Sequence, residues 1–191
     1  ARSRFGIGRS FQKTNVFPTF TALENCRLAA QSREPQPWHW LRDALSYQAV
    51  RLKAQQALAA VELSDRANEL ALALSHGEQR QLEIAMCLAT EPRLLLLDEP
   101  TKGVDVGAKN EIYKLMMDLV RQGIALVVIS SELPELLALC DRFIVLTRGK
   151  LADQFTKAEA SEHRLMLAAT GLAQGREKSS ASQDLTSPSA S

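Results

Sequence analysis

The chain has 191 residues, of which 46% are hydrophobic and 24% charged, and its formal net charge is +1. That length is enough for one domain with a buried core, and the near-zero net charge gives no electrostatic case for nucleic acid as a partner. Cys26, Cys87 and Cys140 are odd in number and far apart, which argues against a disulfide framework and for a reducing cytosolic setting.

His39, His76 and His163 form no metal-ligand spacing with those cysteines. No apolar run approaches the roughly 20 residues that a bilayer span requires. The chain opens on "ARSRFGIGRSFQ" without a signal segment or an initiator methionine, which points to a fragment or a processed product.

In chain order, "FGIGRSFQ" (5–12) reads as a short strand entering a polar loop. "EPQPWHW" breaks regular structure through Pro35 and Pro37. Trp38 and Trp40 there are expected to pack over neighbouring helices, and Arg42, Arg51 and Lys53 form a mild, solvated basic patch. Tyr47, Val50, Ala54, Ala57, Leu58 and Val61 recur at helical spacing, and Asp65 or Asn68 is placed to cap a shorter helix. From Glu78, the residues Leu82, Ala85, Met86 and Ala89 mark one face of a helix that Pro92 ends near Glu91.

"RLLLLDEP" is an apolar run closed by two acids, the pattern of a strand buried on both faces of a parallel sheet. Ile112, Leu115, Met116, Leu119 and Val120 predict the apolar face of the next helix, stopped by Gly123, with Met116 and Met117 as core filler. "IALVVIS" reads as a second buried strand, "LPELLALC" as a short helix and "DRFIVLT" as a third strand. "RGK" turns the chain into "KLADQF", an antiparallel edge strand, and "KAEASEHRLMLAATG" closes the fold as a helix. Residues 172–191 are expected to be disordered. Alternating strands and helices imply right-handed βαβ units and an α/β fold.

Two places carry chemistry. Asp98 and Glu99 stand at the carboxyl end of a predicted parallel strand, where α/β proteins place ligands. Asp98 is a candidate Mg²⁺ ligand, and Glu99 is a candidate to orient or activate a water for attack on a phosphate. Upstream, "LSHGE" sets Ser75 and Gly77 at a helix start, where a hydroxyl, a side chain small enough for close approach and free N–H groups make an anion site. Taken by itself, Ser75 is better explained as a plain serine cap. The pairing with the acidic strand end and with Arg80 is what favours a functional reading.

These stretches resemble the signature motif and Walker B strand of ABC transporter ATPases. "LSHGE", including Glu78, is similar to the family's LSGGQ, and "LLLLDE" to its Walker B. The resemblance covers roughly residues 5–155. It implies a partial P-loop NTPase fold of the ABC ATPase type, with a mainly parallel sheet and a helical signature subdomain at about 15–90 within a domain at 1–171. It also implies ATP and Mg²⁺ as cofactors. On the same grounds Gln12 becomes the Q-loop glutamine, touching the γ-phosphate, Mg²⁺ and the permease. Asp105 takes the D-loop position, and Ser131 stands where the family carries its switch histidine. The implied partners are membrane permease subunits, a second ATP-binding subunit in a dimer and, indirectly, a solute-binding protein, with the chain at the cytoplasmic face of the membrane.

The stretch up to Pro100 resembles branched-chain amino acid and urea importer ATPases. From "TKGVDVGAKNEIYKLMMDLV" onward it resembles sugar importer ATPases, so the chain reads as a hybrid with a seam near Pro100–Gly103. It departs from the family in two ways. The phosphate-loop pattern G-x-x-x-x-G-K-[ST] is not found, because the Gly149–Lys150 pair has Ile144 where the first glycine belongs and Leu151 where a hydroxyl belongs. Truncation before the Q-loop is the expectation that follows, with an inactive isolated chain. Ser131 also lacks a titratable ring. The competing readings are a DNA-repair or translation ATPase of the same superfamily, or an inactive remnant. Against the repair ATPases stands the short Phe11–Leu74 interval, which holds no sustained heptads.

Overall fold

The computed structural model describes residues 6–10, 16–32 and 44–171, with only the helical backbone given at 44–47. Gln12, Trp38, His39, Trp40, Arg42, the Tyr47 side chain and the 172–191 tail lie outside the described residues. The chain divides into two compact units, residues 1–131 and 132–191.

In the first unit, β1 (Ile7–Arg9), β2 (Leu94–Asp98) and β3 (Ala125–Ile129) form a parallel sheet in that order. Parallel neighbours need long crossovers, and helices supply them. Helices α1 (Ala22–Gln31), α2 (Ala44–Ala60) and α3 (His76–Leu88) lie between β1 and β2, and α4 (Val106–Arg121) lies between β2 and β3.

Capping fixes where these helices start. Thr21 and Glu24 close α1 with a reciprocal capping box, and Ser75 and Glu78 do the same for α3. Asp105 caps α4 by accepting the Ala108 N–H at 3.0 Å. The stripe predicted for α2 is buried at Val50, Ala54, Ala57 and Leu58, and Val61 behind it is buried too. Helices α1, α2 and α3 pack on one another. On β2, Leu95 and Leu97 are fully buried, each contributing roughly 1.5–3 kcal/mol of transfer free energy.

The structure corrects several expectations. Only alternate residues of β2 are fully buried, since Leu94, Leu96 and Asp98 are half-buried. β3 alternates between exposed and half-buried positions, with Val127 43% and Ile129 47% exposed. Among the described strands it pairs with β2 alone, so its apolar sequence does not translate into burial. Val120 and Met117 of α4 are exposed, because its buried face is the narrower stripe Ile112, Leu115, Met116 and Leu119. Neither Asp65 nor Asn68 caps a helix. Residues Ser64–Arg66 form a 3₁₀ turn without a side-chain cap. The turn instead leads to carbonyls that serve the start of α1, where Ala67 O accepts the Leu23 N–H and Glu69 O accepts the Ala22 N–H, both at 2.9 Å.

The second unit holds α5 (Leu133–Leu139), β4 (Arg142–Thr147), β5 (Lys150–Thr156) and α6 (Glu162–Thr170). β4 is not a further member of the parallel series but pairs antiparallel with β5. Arg148 and Gly149 join them with φ values of +52° and +75°. Positive φ at both central positions suits the twist of a two-residue hairpin. Phe143, Phe155, Leu165 and Ala168 form this unit's core, against Leu133, Leu136 and Leu137. Gly171 ends α6 in the left-handed conformation.

Candidate functional site

The C-terminal ends of β2 and β3 bring three of the predicted site residues together. Asp98 is the last residue of β2, and Glu99 follows it with φ +51°, a region that non-glycine residues seldom occupy. The Glu99 N–H donates to Ile129 O at 2.8 Å, continuing the ladder with β3. Its carboxylate accepts two hydrogen bonds from Ser131, from the N–H to Oε1 at 3.0 Å and from Oγ to Oε2 at 3.2 Å. An ionised carboxylate offers about four lone-pair positions. Two acceptor positions of Glu99 therefore remain for water or another donor, on a side chain whose orientation is already fixed.

Asp98 is held differently. Its N–H donates to Ser10 Oγ at 3.3 Å, and its Oδ2 lies 3.7 Å from Arg9 Nη2. Its side chain is 22% exposed and that of Arg9 is 44% exposed, so the pair is screened and weak. A single accessible carboxylate fits Mg²⁺, which typically takes one or two carboxylates and completes its shell with water and phosphate oxygens. No group of three or more metal-ligating side chains occurs among the described residues. Asp98 thus fits the metal side of a Mg-nucleotide and Glu99 the water side. Ser10 supports this strand end, though the sequence reading gave it no role.

The second cluster is the start of α3. Ser75 Oγ accepts the Glu78 N–H at 3.2 Å, and the Glu78 carboxylate accepts the Ser75 N–H at 2.8 Å. The hydrogen bond from the Ser75 N–H holds Glu78 below the usual carboxylate range, helped by the Ser75 side chain and by Arg66. Two of the donors expected to be free for a ligand are therefore occupied by this box, which makes Ser75 a helix cap in this structure. Gly77 is buried, and a Cβ built on it would lie 2.6 Å from Ala108 Cβ of α4. Close approach of two helices gives this glycine a reason independent of any ligand. Asp105 caps the helix that carries Ala108, so the Gly77 and Asp105 positions are linked through the start of α4.

Arg80 connects the two clusters. It donates to Glu99 O at 2.7 Å and to Pro100 O at 3.2 Å, and it pairs with Glu83. The sequence reading noted Arg80 without assigning it a role. The available signal is an Arg–Glu pair at i, i+3 on one predicted helix, Arg80 and Glu83. Gln12, the remaining predicted site residue, lies outside the described residues.

Comparison with known proteins bears on the family and the fold. The sequence profile of the ABC transporter family matches residues 1–102. A ribose import ATP-binding protein of Caldanaerobacter subterraneus subsp. tengcongensis is 54% identical over 104 residues, covering 54% of this chain and 21% of that protein. A xylose import ATP-binding protein of Pectobacterium atrosepticum is 41% identical over 159 residues, covering 83% of this chain and 30% of its own length. The chain thus spans between about a fifth and a third of these relatives. Any stretch of 159 residues in a chain of 191 includes positions 100–103, so a sugar-import relative runs through the expected seam.

Among solved structures, a dimeric bacterial ABC transporter cassette superposes with a TM-score of 0.64 at 30% identity, covering 79% of this chain and 62% of that one. The ADP conformation of another ABC transporter cassette gives a TM-score of 0.73 at 24% identity, covering 89% and 70% of the two chains, and bears on the fold alone. No described helix is long and apolar enough to cross a membrane. A parallel sheet whose central strand ends in two acids, a capped helix tied to that strand end by Arg80, and a family profile covering residues 1–102 together make this chain a member of the ABC transporter family, with the α/β fold of its ATP-binding cassettes.

Proposed function

We propose that the chain works within an ATP-binding subunit of an ABC importer, coupling ATP binding and hydrolysis to uptake of a small polar solute. The observation that carries this reading is the Glu99 carboxylate, fixed by Ser131 at the end of β2 with acceptor positions to spare. Bound Mg-ATP supplies the electrophilic phosphorus and the charge neutralisation of phosphoryl transfer. This chain's part is to position. Asp98 and, by the family resemblance, Gln12 would hold the metal, and Glu99 orients the attacking water and receives its proton. Ser131 holds the Glu99 carboxylate. By the family resemblance, Ser75, Gly77, Glu78 and Asp105 would serve the nucleotide of a second ATP-binding subunit across a dimer, and α1, α2 and α3 form the helical subdomain that carries the signature.

The grip on the β- and γ-phosphates belongs to a phosphate loop, a pattern these 191 residues do not contain. The partners are the permease, the second ATP-binding subunit and, indirectly, a solute-binding protein, and the place of action is the cytoplasmic face of the membrane. Relatives named for ribose and xylose import support a sugar over an amino acid or urea as the solute.

The test is transport. These residues, joined behind a phosphate-loop segment and reconstituted with the permease in vesicles, are supplied with Mg-ATP and labelled pentose, amino acid or urea. Pentose uptake that Glu99→Gln abolishes is the expected result. Hydrolysis stimulated by DNA or RNA, with no uptake of any solute, would move the chain to the repair or translation branch of the superfamily.

A further inference from the structure

The guanidinium of Arg80 makes three distinct contacts in a buried setting. The residue is 6% exposed. Nη2 donates to Glu99 O at 2.7 Å, Nε donates to Pro100 O at 3.2 Å, and Nη1 pairs with the carboxylate of Glu83, which is 4% exposed. A buried charge is costly unless it is paired and hydrogen-bonded, and Glu83 on the same helix face meets that need. Nε and Nη2 hold backbone carbonyls. Only a planar fork can serve two carbonyls and a carboxylate in this way, whereas a lysine ammonium presents one point charge.

The backbone being held is unusual. Glu99 has φ +51°, and its carbonyl is one of the two that Arg80 grips. Glu99 is anchored on its other side by its N–H to Ile129 O at 2.8 Å, and its carboxylate meets Ser131. A turn clamped at both its N–H and its carbonyl leaves the side chain little choice of direction. Arg80 belongs to α3, which starts at the Ser75–Glu78 box and packs through Gly77 against α4.

We propose that Arg80 is the positioning residue for Glu99. It transmits the placement of α3 to the Glu99 carboxylate, so that whatever seats the start of α3 also sets the Glu99–Ser131 contact. The consequence for turnover rests on the reading of Glu99 proposed above, while the coupling itself rests on the geometry. Under that reading, the helix assigned to the second subunit's nucleotide reports to this chain's own water-orienting group through one guanidinium.

The test is hydrogen exchange followed by NMR on the 191-residue chain, reading the Ser131 amide. Arg80→Lys keeps a positive charge beside Glu83 but cannot serve both carbonyls. The Ser131 amide is expected to exchange about tenfold faster, the effect of losing roughly one net hydrogen bond, while the Leu95, Leu97 and Leu126 amides hold. Ile112→Val, a core substitution far from the fork in sequence, is the comparison, and it should raise all slow amides together. The double substitution Arg80→Gln with Glu83→Gln removes both charges at once and is read in the same way, so a folding defect in one variant does not decide the matter.

In the phosphate-loop-bearing ATPase, Arg80→Lys is expected to lower kcat with KM for ATP unchanged, and to add nothing further to Glu99→Gln. Unchanged Ser131 exchange in both Arg80 variants, or a rise shared equally by every slow amide, overturns the proposal. A selective Ser131 response alongside intact turnover in Glu99→Gln supports the coupling and refutes the catalytic reading of Glu99 instead.

Discussion

Ser131 offers Glu99 two hydrogen bonds, one from its backbone N–H at 3.0 Å and one from its hydroxyl at 3.2 Å, one to each carboxylate oxygen. The two residues sit on loops leaving adjacent parallel strands, so the contact closes the C-terminal edge of the sheet between β2 and β3. A carboxylate held at both oxygens keeps its direction, while the backbone donor does not depend on the side chain at position 131. Ser131 is thereby a structural partner of Glu99.

Ser131→Ala follows directly. It removes the hydroxyl donor and leaves the N–H in place. In the ATPase completed by a phosphate loop, turnover is expected to fall by about 2- to 10-fold, the equivalent of one net hydrogen bond. Steady-state phosphate release measures it. A loss as large as that of Glu99→Gln would show that Ser131 does more than hold Glu99.

Gly77→Ala tests whether packing alone explains that glycine. The added Cβ would lie 2.6 Å from Ala108 Cβ, so α3 and α4 must separate. Overpacking of this kind costs about 1–3 kcal/mol, and the urea midpoint should drop accordingly with no nucleotide present. Ala108→Gly in the same chain should restore much of the loss. A midpoint unmoved by Gly77→Ala would leave ligand approach as the reason for glycine.

Acid stability follows from three carboxylates that accept backbone N–H groups, two in capping boxes and Glu159 in a turn. Glu24, Glu78 and Glu159 are held below the usual carboxylate range, led in each case by the hydrogen bond from a backbone N–H, of Thr21, Ser75 and Thr156 respectively. Because the folded values are depressed, their stabilisation is fully present above the unfolded value and is lost as pH falls through the folded ones. Urea midpoints should be flat from neutral pH down to about 5.5 and fall below about 4.5. A midpoint constant down to pH 3 would contradict these contacts.

Thiol chemistry should rank the cysteines. Burial pushes Cys26 and Cys87 up to about 12, and it raises Cys140 as well. At pH 8 a thiol of pKa about 12 is ionised in roughly one molecule in 10⁴, and the thiolate is the reactive form. A disulfide reagent should therefore label Cys140 first in the native protein, with Cys26 and Cys87 following only on unfolding. Equal native rates at all three would be incompatible with the strongly raised values of Cys26 and Cys87.

Much of this arrangement was legible in the residues themselves. The α2 stripe, the acids at the end of β2 and the start of α3 announce themselves by period and by capping chemistry. β3 did not, because an apolar run encodes a preference for burial but not whether anything covers it. Val120 was misplaced for a related reason, since helical spacing does not set the width of the buried stripe. Ser75 shows a further limit. "LSHGE" satisfies a capping box and a family signature with the same atoms, and pattern alone cannot separate them. Arg80 escaped a role because its partners are carbonyls, which every residue has and no motif displays.

The most direct measurement is phosphate release by the phosphate-loop-bearing ATPase with Glu99 replaced by Gln, alongside nucleotide affinity. The substitution keeps shape and hydrogen bonding but removes the charge that would receive a proton. Turnover is expected to fall by about 10²–10⁴, the range for loss of a positioned general base, with Mg-ATP affinity unchanged. Unchanged turnover would remove Glu99 from the chemistry and contradict the reading of the β2 end as a hydrolytic site.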